Sequence, residues 1–106
     1  MKDMNTLRHI AGLYLDIYSS PRDLERPLTP EQVKDAGLFF LDLLAAHEAE
    51  ALIEKERQLK VPEPSYHEIA EMFAARYKRE EGIDGALTED DWYKATDVFL
   101  DYISSY

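Results

Sequence analysis

Two stretches of the chain lie over one another without a gap: IAGLYLDIYSSPRDLERPLTPEQVKDAGLFFLDLL at residues 10–44 and IAEMFAARYKREEGIDGALTEDDWYKATDVFLDYI at residues 69–103. At this offset of 59 positions nine of the 35 pairs are identical, among them Ile10/Ile69, Tyr18/Tyr77, Leu28/Leu87, Thr29/Thr88, Ala36/Ala95 and Phe40/Phe99. Others are close in kind, such as Tyr14/Phe73, Leu24/Ile83 and Leu44/Ile103. Two unrelated amphipathic helix pairs agree by chance at apolar positions. Here the register also carries the turn residues, which favours a duplicated helix–loop–helix unit.

Each copy spells out the same elements. Leu7, Ile10, Ala11, Tyr14, Ile17 and Tyr18 recur at helical spacing, and Tyr66, Ile69, Ala70, Phe73 and Tyr77 repeat that stripe. Ser65 with Glu68 three residues on marks the start of the third helix, after Pro62 and Pro64. The second helix starts at Thr29, with Pro30 in its first position and Gln32 as the reciprocal cap. The fourth starts at the matching Thr88, and Glu89, Asp90 and Asp91 fill its first turn, where carboxylates favour the positive end of the helix dipole. Residues 45–60 hold no Gly or Pro and are rich in helix formers, so the second helix is expected to extend from about 30 to 60, with a break near His47 as the alternative. The paired loops carry Leu24 with Leu28 and Ile83 with Leu87, expected to fold back onto the bundle. The fold expected is all-α: two tandem helix–loop–helix units packed as a four-helix bundle, with an extended second helix. A single domain then divides into repeat one (5–46), a connecting helix or linker (47–65) and repeat two (66–106).

The chain's 106 residues are one domain's worth, and an apolar fraction of 45% is enough for a core. The absence of cysteine removes disulfides and thiolate chemistry and is compatible with a reducing, cytoplasmic setting. No apolar run reaches the length of a membrane span, and Met1–Asn5 open no secretory leader pattern. Twelve basic and 22 acidic residues leave a net charge of −10, which argues against direct binding to nucleic acid. The charge is uneven: residues 66–106 carry four basic and ten acidic residues, whereas 1–46 carry five and seven.

A helix, a loop with apolar residues at its fourth and eighth positions and a second helix capped by Thr at the ninth resembles an EF-hand. With Glu80 as loop position one, Gly85 falls on six, Leu87 on eight, Thr88 on nine and Asp91 on twelve. The resemblance covers most of the chain through the repeat and implies units that pack in twos; a four-helix bundle of separate origin is the alternative. The calcium ligands mostly depart from the family's pattern. Gly82 has no oxygen at position three, and the first loop places Arg26 and Pro27 at six and seven. Only Asp84, Thr88 and Asp91 stand ready to supply side-chain oxygens, so weak calcium binding ranks behind two other readings. EF-hand-like pairs without calcium serve as docking modules, which is what the resemblance implies here.

No catalytic constellation emerges. His9, His47 and His67 lack zinc-ligand spacing, no Gly-x-Ser-x-Gly elbow occurs, and no phosphate-binding glycine pattern appears. The chain is expected to be non-enzymatic and to need no cofactor or metal. Apolar residues are in excess on helices two and four. After the core stripe is assigned, Phe39, Leu43, Val98 and Tyr102 lie on a second side at matching repeat positions, either as further core or as a docking face for a partner or a second copy. Asp84, Glu89, Asp90, Asp91, Asp97 and Asp101 form an acidic set in the second repeat, suited to a basic groove on another protein. The expected function is a protein–protein interaction module, an adaptor or inhibitor; an acidic nucleic-acid mimic of the kind phages and mobile elements carry is the alternative.

Overall fold

The computed structural model describes residues 4–25, 27–46 and 64–104. Among these residues there are four helices and no strand: α1 (Met4–Ser19), α2 (Pro30–Ala46), α3 (Tyr66–Glu81) and α4 (Glu89–Ser104). The all-α bundle expected from the repeat is what the chain adopts. The continuation of the second helix through residues 47–60, with its break at His47 and its surface pairs, lies outside the described residues.

The repeat is realised at the level of single hydrogen bonds. After α1, Leu24 N–H donates to Ser19 O at 3.1 Å and Asp23 N–H to Ser20 O at 3.3 Å. After α3, the matching Ile83 N–H donates to Lys78 O at 2.9 Å and Gly82 N–H to Arg79 O at 3.4 Å. Both helices thus end through a residue in the left-handed region, which turns otherwise orphaned carbonyls to account. That residue is Asp23 (φ 53°) in one unit and Gly82 (φ 67°) in the other. Asp tolerates this region by local bonding and Gly by having no Cβ, so two different residues serve one geometry.

The helix starts match as closely. Thr29 N–H donates to Gln32 Oε1 at 2.9 Å while Gln32 N–H donates to Thr29 Oγ1 at 3.2 Å. Thr88 N–H donates to Asp91 Oδ2 at 3.1 Å while Asp91 N–H donates to Thr88 Oγ1 at 3.2 Å. These are two reciprocal capping boxes, each satisfying two donors that the helix cannot. At the start of α3, Ser65 Oγ accepts from Glu68 N–H at 3.1 Å.

Each helix packs chiefly against helices of the other unit: α1 on α3, α2 on α4, with α1 also crossing α4 and α2 crossing α3. The centre is a quartet of rings. Phe40 and Phe99 stack with centroids 3.6 Å apart and planes 6° from parallel. Tyr14 meets Phe99 edge-on at 4.9 Å, and its repeat equivalent Phe73 meets Phe40 edge-on at 5.1 Å. The stacks Tyr14–Tyr18 and Phe73–Tyr77 are likewise matched, at 5.9 and 6.3 Å. Exchange of the two units carries each of these contacts onto another of them, a pseudo-twofold relation centred on the Phe40–Phe99 stack. Edge-on and stacked aromatic pairs contribute about 0.5–1.5 kcal/mol beyond the area they bury. Where α2 crosses α4, Gly37 lets Leu100 in: a Cβ at Gly37 would lie 2.3 Å from Leu100 Cδ2. The loop residues Leu24, Leu28 and Ile83 pack half-buried against the core, and Leu87 is buried within it.

Candidate functional site

The second apolar side expected of α2 and α4 is mostly interior. Leu43 is 0% exposed and Tyr102 4% exposed, on helices that pack against each other and each against a further helix of the opposite unit. Of the two outcomes open to this side, further core or docking face, Leu43 falls to the core and does not reach solvent, and Tyr102 keeps only an edge that lines a cleft; α2 and α4 each pack against two other helices, so a second apolar side is largely core. Phe39 and Val98 are half-buried against that core. Among the described residues the large apolar side chains that reach solvent are Leu38 (55%), Tyr93 (53%) and Met72 (43%), scattered on three helices. Of the acidic set, Asp84, Glu89, Asp90, Asp97 and Asp101 are exposed. Helical spacing puts Asp90, Asp97 and Asp101 on one outward stripe of α4, with Tyr93 and Lys94 among them. Asp91 differs. Its hydrogen bonds with Thr88 hold its carboxyl below the usual value, so the oxygens at the ninth and twelfth loop positions are engaged by α4's own N-terminus. Among the described residues no three His, Asp or Glu side chains stand close enough together to hold a metal ion. His9 is exposed, and His67 Nε2 sits 3.3 Å from Glu71 Oε1 one turn along α3.

Val98 and Tyr102 nevertheless come together with Asp101 of the acidic set and with side chains that the sequence had not read as a site. With Leu7, Tyr77, Glu80, Glu81 and Asp101 they line a cleft of about 170 Å³ where the start of α1 meets the ends of α3 and α4. The lining combines apolar side chains and two phenol rings with three carboxylates. Glu80 also pairs with Arg76 at 3.3 Å, one turn back along α3. The last carbonyls of α3 add partial negative charge at this end.

The repeat shows what occupies the corresponding place in the first unit. Shifted back by 59 positions, Tyr77 becomes Tyr18, Glu81 becomes Arg22, Val98 becomes Phe39 and Tyr102 becomes Leu43; shifted forward, Leu7 becomes Tyr66. In the first unit these residues close on one another. The Arg22 guanidinium lies 4.1 Å from the Tyr18 ring centroid and 5.5 Å from that of Phe39. Its Nη1 donates to Tyr18 O and to the Tyr66 hydroxyl, both at 3.2 Å. The Tyr66 hydroxyl donates to Ile17 O at 2.8 Å. The Tyr18 hydroxyl donates to Asp35 Oδ2, and the Tyr14 hydroxyl to Ala36 O at 2.9 Å. Burial, reinforced by Asp35, pushes the Tyr18 phenol up to about 12. Burial pushes Tyr14 well above the usual phenol value.

The signal that would have located the cleft was already present in the repeat, at the pairs that disagree. Arg22 against Glu81, Phe39 against Val98 and Tyr66 against Leu7 change a cation to an anion and two rings to aliphatic side chains. Each loss removes volume or reverses charge at one location. Among the described residues no helix is long and apolar enough to cross a membrane. Comparison of the chain with protein-family models, with curated proteins and with solved structures finds no match in any of the three.

Proposed function

We propose that the protein is a non-catalytic interaction module, an adaptor or inhibitor, that docks a basic partner protein through its second unit. The observation that carries this reading is the cleft itself: apolar side chains and two phenol rings lined together with Glu81, Asp101 and the Arg76-paired Glu80, beside the acidic stripe of α4. An apolar recess gives desolvated contact area, and the surrounding carboxylates steer a cation-rich partner toward it. The set of proposed contacts therefore contracts from Phe39, Leu43, Val98 and Tyr102 to Val98 and Tyr102 as walls of the recess. The degenerate EF-hand-like reading is compatible with this use, as a shape kept for docking. The lack of cysteine supports a cytoplasmic location.

A second reading rests on a different observation, the exposure of Asp84, Glu89, Asp90, Asp97 and Asp101 along one unit. Spaced carboxylates on a small helical protein could occupy a nucleic-acid-binding groove in place of phosphates. Capture of partners from source-cell extract on the full chain, repeated over a salt series, tests both readings. A partner that is lost on Val98→Asp substitution and retained at 0.5 M salt supports the recess. A partner that is lost steeply with salt and on combined Asp90→Asn and Asp97→Asn substitution supports the mimic, because exposed charges are screened over about 10 Å at 0.1 M. A partner indifferent to all three substitutions would overturn both.

A further inference from the structure

We propose that the cleft formed by α1, α3 and α4 receives an arginine side chain of the basic partner, in the place that Arg22 fills from within the first unit. The proposal rests on the docking reading above and names its occupant. The two sites are related by the pseudo-twofold axis, so the first unit displays the bound state of which the second is the open counterpart. In the first unit a guanidinium stacks over the conserved-position tyrosine of the repeat, Tyr18, and bonds to a backbone carbonyl and a hydroxyl. In the second, Tyr77 occupies that tyrosine's position and lines the cleft, and Tyr102 adds a second ring.

Three changes make the second site fit for a guanidinium from outside. Val98 in place of Phe39 and Leu7 in place of Tyr66 remove ring volume, leaving about 170 Å³. For scale, an apolar cavity of about 150 Å³ admits benzene. Glu81 in place of Arg22 reverses the charge, and Asp101 lines the cleft with it, while Glu80 in the same lining is paired with Arg76. A planar guanidinium satisfies both parts of such a site, stacking on rings and presenting a fork of donors to carboxylates. A lysine ammonium is a strongly hydrated point charge and does only the second.

The test titrates the full-length protein, uniformly labelled for NMR, with a short peptide carrying two arginines and with its lysine counterpart of equal charge. The expected result is saturable binding with the arginine peptide about tenfold tighter, as stacking of a desolvated cation implies. Shifts should centre on Leu7, Val98 and Tyr102. Glu81→Arg, which supplies the cleft with a guanidinium from its own chain, should abolish the binding. Asp97→Arg makes the same change of charge on the outer stripe and should weaken it by only about threefold, through long-range charge alone. Equal binding of the two peptides, with shifts spread along Asp90 and Asp97, would overturn the arginine assignment while leaving an acidic docking surface in place. No binding of either peptide at low salt would overturn both. Self-association that rises with protein concentration and disappears in Glu81→Arg would make a second copy the source of the arginine and overturn the assignment to a separate partner.

Discussion

The two units share a backbone plan and differ in how they finish it. In the first, Arg22 folds over Tyr18 and Phe39 and is held by Tyr66, a residue of the other unit. In the second, the same location is an open cleft with an acidic rim. The positions that agree between the units are those that build the ring quartet, the caps and the helix ends. Many differences are conservative or keep the same geometry, as Tyr14/Phe73, Gln32/Asp91 and Asp23/Gly82 do, whereas Arg22/Glu81, Phe39/Val98 and Tyr66/Leu7 change charge or ring volume together at one end of the bundle. Pairs that keep their chemistry therefore report on the fold, and the three that reverse charge or lose a ring mark where the two units differ in what they leave open.

The largest effect follows from the interlocked packing. Each helix packs chiefly against the opposite unit, so a unit alone keeps only its internal contacts, such as Tyr14–Phe40 or Phe73–Phe99. A peptide of residues 5–46 alone is expected to show little helix by circular dichroism, and mixing it with residues 64–106 should restore helicity. Stable helix in the lone peptide would show that the units are independent. Next comes the central stack. Phe40→Ala and Phe99→Ala should each cost about 3–5 kcal/mol in urea unfolding, and by similar amounts, since the two rings are equivalent and fully buried. A wide gap between them would break the symmetry at its centre.

Smaller effects sharpen the contrast between the two ends. Arg22→Ala should cost about 1–2 kcal/mol through the lost stacking and hydrogen bonds. Glu81→Ala at the matching position should change stability by less than about 0.5 kcal/mol, as a surface substitution does. Thr29→Ala and Thr88→Ala should each cost about 1 kcal/mol, the usual value of an N-cap. The least effect is in the pH dependence. Tyr14 and Tyr18 are held neutral above the normal phenol value of about 10. The contribution of Tyr18 is therefore complete below about pH 10 and is lost as pH rises toward 12, and that of Tyr14 is lost in the same direction. Asp91 is shifted the other way, so the Thr88 cap is intact above pH 3.8 and weakens as pH falls below it. Gln32 in the first unit has no such dependence. Amide exchange during acidification should accelerate at Asp91 before Gln32, and the reverse order would contradict the assignment of the two caps.

Much of the bundle was legible because period and punctuation agree in both copies. The stripe from Leu7 to Tyr18, the Thr29 and Thr88 caps and the folded-back Leu24 and Ile83 are all visible as residues in register. The burial of Leu43 and Tyr102 was not legible. Helical spacing gives the side of a helix, not the number of neighbours that cover it, and interlocking supplies two. The cleft was not legible as a cleft because it is a difference between copies: it appears only when Leu7 at the start of α1 is set against Tyr66 at the start of α3. Glu80 and Glu81 read as ordinary helix-end carboxylates until the packing of α1 and α4 beside them is known.

The matched packing of the two halves around the Phe40–Phe99 stack underlies every contrast between them. Nuclear Overhauser contacts between selectively labelled rings test it directly. The expected result is a matched pair of cross-peaks, Tyr14 to Phe99 and Phe73 to Phe40, of comparable intensity, as their centroid separations of 4.9 and 5.1 Å require. One cross-peak without the other would mean that the halves pack differently, and the comparison of Arg22 with the open cleft would lose its basis.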